Sequence, residues 1–205
     1  MHLPKPEEGG SFTPIPPGTH LGVCYRVIDL GTQMSNFQGE TKTAHKIMIS
    51  WEIPEERNEK GDPLVCSKFY TWSMHEKATL RHHLEAWRGK AFEDKDFGPG
   101  GFDIRNVIGK GCMLTISEEM RDGRLRSSVA GVGKVMKGLS VPEPHNPTAY
   151  LWIIPDYWDP EVFSGLSDKM RDMIRASPEY KSMMQNSTTA TNGHGHDGMN
   201  DDIPF

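Results

Sequence analysis

The stretch LVCSKFYTWSMHEKATLRHHLEAWRG, residues 64 to 89, changes its period partway along. From Leu64 to Trp72 the side chains alternate, with Val65, Ser67, Phe69 and Thr71 on one face and Cys66, Lys68, Tyr70 and Trp72 on the other. A period of two is that of a β-strand. From Ser73 the period becomes helical. Ser73 with Glu76 three residues later has the form of a capping box, and Leu80, Leu84, Trp87 and Ala91 recur down one face. Gly89 supplies a C-terminal stop.

Two strands precede this strand–helix unit. In His20–Leu30, Leu21, Val23, Tyr25 and Val27 alternate with Gly22, Cys24, Arg26 and Ile28. Lys46–Ile53 places Ile47, Ile49, Trp51 and Ile53 on one face, and Pro54 ends it. Between them, Gly31 to His45 reads as a polar loop carrying one aromatic, Phe37; residues 55–63, with Asn58, Gly61 and Pro63, read as a hairpin tip. Two strands follow the helix, Gly111–Ile116 and Leu125–Val135, joined by Ser117–Arg124. Strand, strand, strand, helix, strand, strand is the order of the five-stranded OB-fold barrel, although other small β-barrels share it.

The expected fold is therefore mostly β with α, an OB-fold barrel over residues 18–138. The first 17 residues, with five prolines, form an extended arm. Residues 139–184 are Pro-rich and aromatic and form a small helical annex packed on the barrel. One helix starts at Asp159 with Pro160 and Glu161 in its first turn. A second runs from Ser167 to Ala176, turns Leu166, Met170, Met173 and Ile174 inward, and stops before Pro178. From Gln185 the chain reads QNSTTATNGHGHDGMN, too poor in apolar residues to fold, so residues 185–205 are a disordered linker with an acidic tip.

The chain has 205 residues, 36% of them apolar, and a mean hydropathy of −0.58, which suits one core with polar ends. Its apolar runs are far short of a membrane span, so no membrane partner is expected. The N-terminus, MHLPKPEEGG, lacks a signal-peptide pattern. Cys24, Cys66 and Cys112 are odd in number and widely spaced, which fits reduced thiols in a cytoplasmic protein better than disulfides or zinc. The net charge of −5 conceals an asymmetry: residues 18–138 hold 18 Lys and Arg against 16 Asp and Glu, whereas 139–205 hold 4 against 10. A mildly basic body with an acidic tail suits a nucleic-acid-binding domain with a recruiting tail.

An OB barrel would bind single strands across strands two and three and their neighbouring loops. Lys68, Tyr70 and Trp72 share a strand face and combine a cation with two rings; Phe37, Lys42 and Lys46 lie in or beside loop 31–45, and Arg121, Arg124 and Arg126 in loop 117–126. Core packing is the alternative for Tyr70 and Trp72, and a solvated hairpin for the arginines. Enzyme motifs are lacking. His82 and His83 point to different helix faces without a third ligand, and His194, His196 and Asp197 sit in the polar tail. No Gly-rich phosphate loop or nucleophile elbow occurs, so no catalytic residue, metal or cofactor is expected.

The chain closes with Asp201-Asp202-Ile203-Pro204-Phe205. Proline stiffens this end, and a ring beside a terminal carboxylate suits an apolar slot with a Lys or Arg clamp. The string resembles the acidic tip of bacterial and phage single-stranded DNA-binding proteins, which recruits replication, recombination and repair enzymes. The segments VIDLGTQ (27–33), WEIP (51–54), YTWSMHEK (70–77), LEAWRGK (84–90) and WDPEVF (158–163), with SPEY (177–180), are similar to a group of tailed-phage proteins described as single-stranded DNA-binding or uncharacterised. The resemblance covers roughly residues 18–182. It implies a phage-encoded protein of the bacterial host cytoplasm that coats single-stranded DNA and hooks partner enzymes through Asp201–Phe205. The rival expectation is an OB-like protein–protein adaptor with little DNA affinity. Homo-oligomerisation stays open in either case.

Overall fold

The computed structural model describes residues 13–37, 40–121 and 123–191. Among these residues the chain is mostly β with helices: a six-stranded, largely antiparallel sheet and four α-helices. Strands β1 (Gly18–Phe37), β2 (Glu40–Arg57) and β3 (Pro63–Thr71) form a meander, and helix α1 (Thr79–Arg88) follows. After two short 3₁₀ turns come β4 (Gly111–Arg121) and β5 (Arg124–Gly133). The spatial order is β3-β2-β1-β4-β5. Edge strands β3 and β5 approach one another, and the Lys68 ammonium donates to the Val129 carbonyl at 2.6 Å, but no backbone ladder joins them.

Beyond β5 the annex contributes β6 (Ala149–Leu151), α2 (Pro160–Ser164), α3 (Asp168–Ala176) and α4 (Pro178–Thr191). Strand β1 can serve both parts because two register shifts bend it. Its first six residues pair with β4, and past the shift at Cys24/Arg26 the triplet Arg26–Ile28 pairs in parallel with β6. Bulges bend a strand and raise its local twist.

One core fills the space between the sheet and α1, with Val27, Ile49, Trp51, Leu84, Trp87 and Leu114 among its members. A second lies on the opposite face of the β1–β2 hairpin, where Ile28, Leu30 and Met48 meet Leu151, Ile153, Leu166 and Ile174 of the annex. Each such side chain contributes about 1.5–3 kcal/mol relative to exposure, enough in sum to hold the annex in place. The middle of β2 is consequently buried on both faces: Met48, Ser50 and Glu52 are as inaccessible as Ile47, Ile49 and Trp51. Glu52 earns its burial through three donors, the backbone amides of His145 and Asn146 and the Asn146 side chain, at 2.6, 2.9 and 2.7 Å. A buried charge needs such partners.

Several expectations are revised. Residues 31–37 and 40–45 are not loop; they extend β1 and β2 into one long ribbon, with ladder pairs from Gly31↔Lys46 to Phe37↔Glu40. The residues of this ribbon are mostly polar and show no apolar alternation, so the backbone ladder leaves no trace in hydropathy. Helix α1 starts later than the Ser73/Glu76 pattern indicated: its N-cap is Ala78 with no side-chain hydrogen bond, and Ala91 lies exposed beyond its end. Gly89 does cap it, at φ 69°. Residues 117–121 and 124–126, expected in a loop, instead continue β4 and β5, with ladder pairs down to Arg121↔Arg124. Residues 185–191, expected to be disordered, continue α4, which begins at the Pro178 that also ends α3. The last described part of the N-terminal arm is docked: Ile15 is buried and its amide and carbonyl both bond the Ser127 hydroxyl, at 2.8 and 2.9 Å.

Candidate nucleic-acid interface

Strand β3 presents two unlike rows. Leu64, Cys66, Lys68 and Tyr70 point inward, whereas Val65, Ser67, Phe69 and Thr71 are exposed. Tyr70 is only 3% exposed, and its hydroxyl bonds His83 Nδ1 at 2.8 Å. Tyr70 is therefore a core residue and not a stacking surface. The ring set against the neighbouring core outweighs the polarity of Lys68 beside it, and Lys68 satisfies its charge across the seam at Val129. Trp72 escapes the inward row because β3 ends at Thr71; its amide donates to the His45 carbonyl at 2.8 Å, and its ring stays 39% exposed.

The exposed aromatic on this surface is Phe69, at 50%. It stands with Lys68 where two open depressions meet. One, of about 590 Å³, extends past Thr71 to Lys46, His75 and Lys77. The other, of about 380 Å³, crosses the β3–β5 seam to Glu119, Arg126, Ser127 and Ser128. Lys46 reaches Thr71 Oγ1 at 2.7 Å, so the cation sits along the rim of β3. The groove thus combines a ring, hydroxyls and four cations against one carboxylate, a combination suited to a phosphate chain carrying flat bases. Phe69 was legible in its alternating row, but without the tertiary fold nothing showed which row faced out.

The other expected site residues are placed less closely. Lys42 lies on the β1–β2 ribbon, 3.5 Å from Glu40, outside the lining of this groove. The side chains of Phe37, Arg121 and Arg124 lie outside the described residues, as do Asp201, Asp202, Ile203, Pro204 and Phe205, and His194, His196 and Asp197. Of the adjacent histidines, His82 is exposed, while His83 is the half-buried partner of Tyr70, its imidazole held below the usual histidine range by burial. Among the described residues no group of three or more His, Cys, Asp or Glu could hold a metal. The three cysteines are free, and burial pushes the Cys24 and Cys66 thiols up to about 12. No helix among the described residues is long and apolar enough to cross a membrane.

A polar cluster pins the annex beside this surface. Asp29, 1% exposed, accepts from the Gly31 amide at 2.8 Å, His45 Nε2 at 2.6 Å and the Ile153 amide at 3.2 Å. Glu179 accepts from the Thr32 amide and hydroxyl, at 2.9 and 2.5 Å, and lies 3.6 Å from His45 Nδ1. Gly31 has φ 67°, and a β-carbon there would stand 2.5 Å from Ser177 Cβ, so this close approach of the α3–α4 junction requires glycine. The hydrogen bond to Asp29 raises the His45 pKa; burial opposes this, and the charges of Asp29 and Glu179 reinforce it. Burial pushes Glu179 up, but the two bonds from Thr32, a further backbone hydrogen bond and the nearby His45 together leave its pKa lowered.

These directions set a pH window. A raised histidine stabilises fully below its unfolded pKa near 6.5, and that contribution is lost as pH rises through the folded value. A lowered carboxylate stabilises above its unfolded value and loses this as pH falls through the folded one. Melting temperatures of wild type and His45→Gln should accordingly differ most between mildly acidic pH and about 6.5, with the gap narrowing on the alkaline side. A gap that widens above neutrality would contradict the assignment of His45 as the cation of the cluster.

No protein-family model matches the chain, and a comparison with curated proteins finds no match either.

Proposed function

We propose that the chain is a single-stranded DNA-binding protein of the tailed-phage type, built on an OB-type barrel and recruiting partner enzymes through Asp201–Phe205. The order β3-β2-β1-β4-β5, the helix between β3 and β4, and the approach of edges β3 and β5 support the barrel reading. The observation that carries the function is the groove around Phe69, where an exposed ring lies among Lys46, Lys68, Lys77 and Arg126. Stacking on a ring accepts any base, and cations follow the phosphates, so binding is expected to prefer single strands and to show little sequence preference. The protein would act in the host cytoplasm, coating and protecting strands exposed in replication or recombination.

Fluorescence anisotropy with a labelled poly-pyrimidine strand tests this. If about three to five phosphates are neutralised, log K should fall against log salt with a slope of roughly −2 to −3.5. Equal or tighter binding to a blunt duplex would overturn the proposal. Absence of binding to either form, with partner capture intact, would leave the protein as an adaptor.

A further inference from the structure

A file of aromatic rings runs from the end of β3 onto the annex. Trp72 packs edge-on against Trp152 at a centroid distance of 4.9 Å, Trp152 lies nearly parallel to Tyr150 at 5.9 Å, and Tyr150 meets Tyr157 edge-on at 5.8 Å. The backbone dictates this arrangement. Tyr150 and Trp152 are two apart along an extended segment that continues β6, so both fall on one face. The turn after them closes with the Trp152 amide donating to the Tyr157 carbonyl at 3.2 Å, which returns Tyr157 to Tyr150. Arg105 spreads its guanidinium over Tyr157 at 4.6 Å and over Tyr150 at 5.8 Å, while Asp103 accepts from its Nε at 2.8 Å and sets the orientation.

Packing alone does not account for the file. Its end members, Trp72 and Tyr157, are each 39% exposed, and Arg105 is exposed beside Tyr157. The file also begins where the basic groove ends: Trp72 follows Thr71, and His45, which stacks on Trp152 at 6.1 Å, precedes Lys46. Single-stranded nucleic acid is recognised by unstacked bases lying on aromatic rings and on arginine planes. The centroid steps are about 1.4 to 1.7 times the 3.4 Å rise of a stacked strand, a spacing that suits bases drawn apart.

We propose that Trp72, Trp152, Tyr150 and Tyr157, with Arg105, form a second stacking platform, onto which a single strand leaving the β3–β5 groove continues over the annex. The proposal rests on the single-strand reading above and extends its footprint beyond the barrel.

The test uses the full chain and labelled oligothymidylates of about 5 and about 20 nucleotides, at the lower end and beyond the roughly 4–16 that one OB-type site covers. Tyr157→Ala is expected to weaken the long strand by about 5- to 150-fold, the loss of one stacked base, and to leave the short strand unchanged. Arg105→Ala should weaken the long strand selectively too, and Tyr157→Phe, which keeps the ring, should bind as wild type. The long strand should also quench tryptophan fluorescence more than the short one, since Trp72 is exposed and Trp152 half-buried in the file, whereas Trp51 and Trp87 are buried in the core. Wild-type affinity of Tyr157→Ala and Arg105→Ala for the long strand, with Phe69→Ala weakening both lengths, would overturn the platform and spare the groove. Equal losses at both lengths would overturn it as well. If the unaltered chain binds neither length, the groove reading fails and the platform falls with it.

Discussion

Tyr70→Ala is expected to destabilise the protein by about 3–5 kcal/mol, the range for removing a fully packed aromatic side chain. For a chain of this size that corresponds to a fall in melting temperature of roughly 6–20 °C. The ring is 3% exposed within the main core and meets His83 edge-on at a centroid distance of 5.6 Å. Its removal opens a cavity and leaves half-buried His83 without the 2.8 Å bond to the Tyr70 hydroxyl. Tyr70→Phe keeps the volume and loses only that bond, at a cost of about 1–3 kcal/mol if His83 stays unpaired. One residue earlier the expectation reverses. Phe69→Ala should melt near the native temperature and lose roughly 1–3 kcal/mol of single-strand binding, because a half-exposed ring holds little of the fold together. Urea or thermal unfolding beside a binding titration reads both effects. A Tyr70→Ala protein of native stability would mean that the inward row of β3 has been assigned to the wrong face.

Deleting Asp201–Phe205 should abolish the capture of partner enzymes from a host lysate, and Phe205→Ala should do the same. Adding one residue after Phe205 should be as damaging, because it displaces the carboxylate from the ring that it accompanies. The effect on DNA has the opposite sign. Residues 197–205 hold three aspartates and the terminal carboxylate, which at low salt compete with phosphate for the cations of the groove. The shortened chain should bind single strands as well as wild type or modestly better, with the difference shrinking as salt screens it. A deletion that weakens DNA binding while leaving capture intact would reverse the roles of body and tail.

Much of the fold was legible because it depends on local periodicity. The alternation in residues 20–30, 46–53 and 64–72, the spacing of Leu80, Leu84 and Trp87, the left-handed cap at Gly89 and the Asp159-Pro160 helix start each express a rule that acts within a few residues. Leu166, Met170, Met173 and Ile174 likewise turn toward the annex core as their spacing implies. Two of the local failures share a reason. The ribbon formed by residues 31–37 and 40–45, and the outer ends of β4 and β5 up to Arg121↔Arg124, are held by backbone ladders between mostly polar residues, and hydrogen bonds of the main chain carry no side-chain signature.

The candidate site belongs to the other category. A period of two divides β3 into two rows but is symmetric between them, so it could not say whether Phe69 or Tyr70 faces solvent. That choice is made by β1, β2 and α1, which enclose one row, and by the β3–β5 seam, where Lys68 finds its acceptor on a strand 61 residues away. The same holds for β2, whose second face is covered by an annex that begins more than eighty residues later in the chain. The sequence by itself determined the apolar stretches of the strands, the body of α1, the starts of α2 and α3, and which residues could share a face. Only the tertiary structure decided which face is surface, because exposure is settled by contacts between segments far apart in the chain.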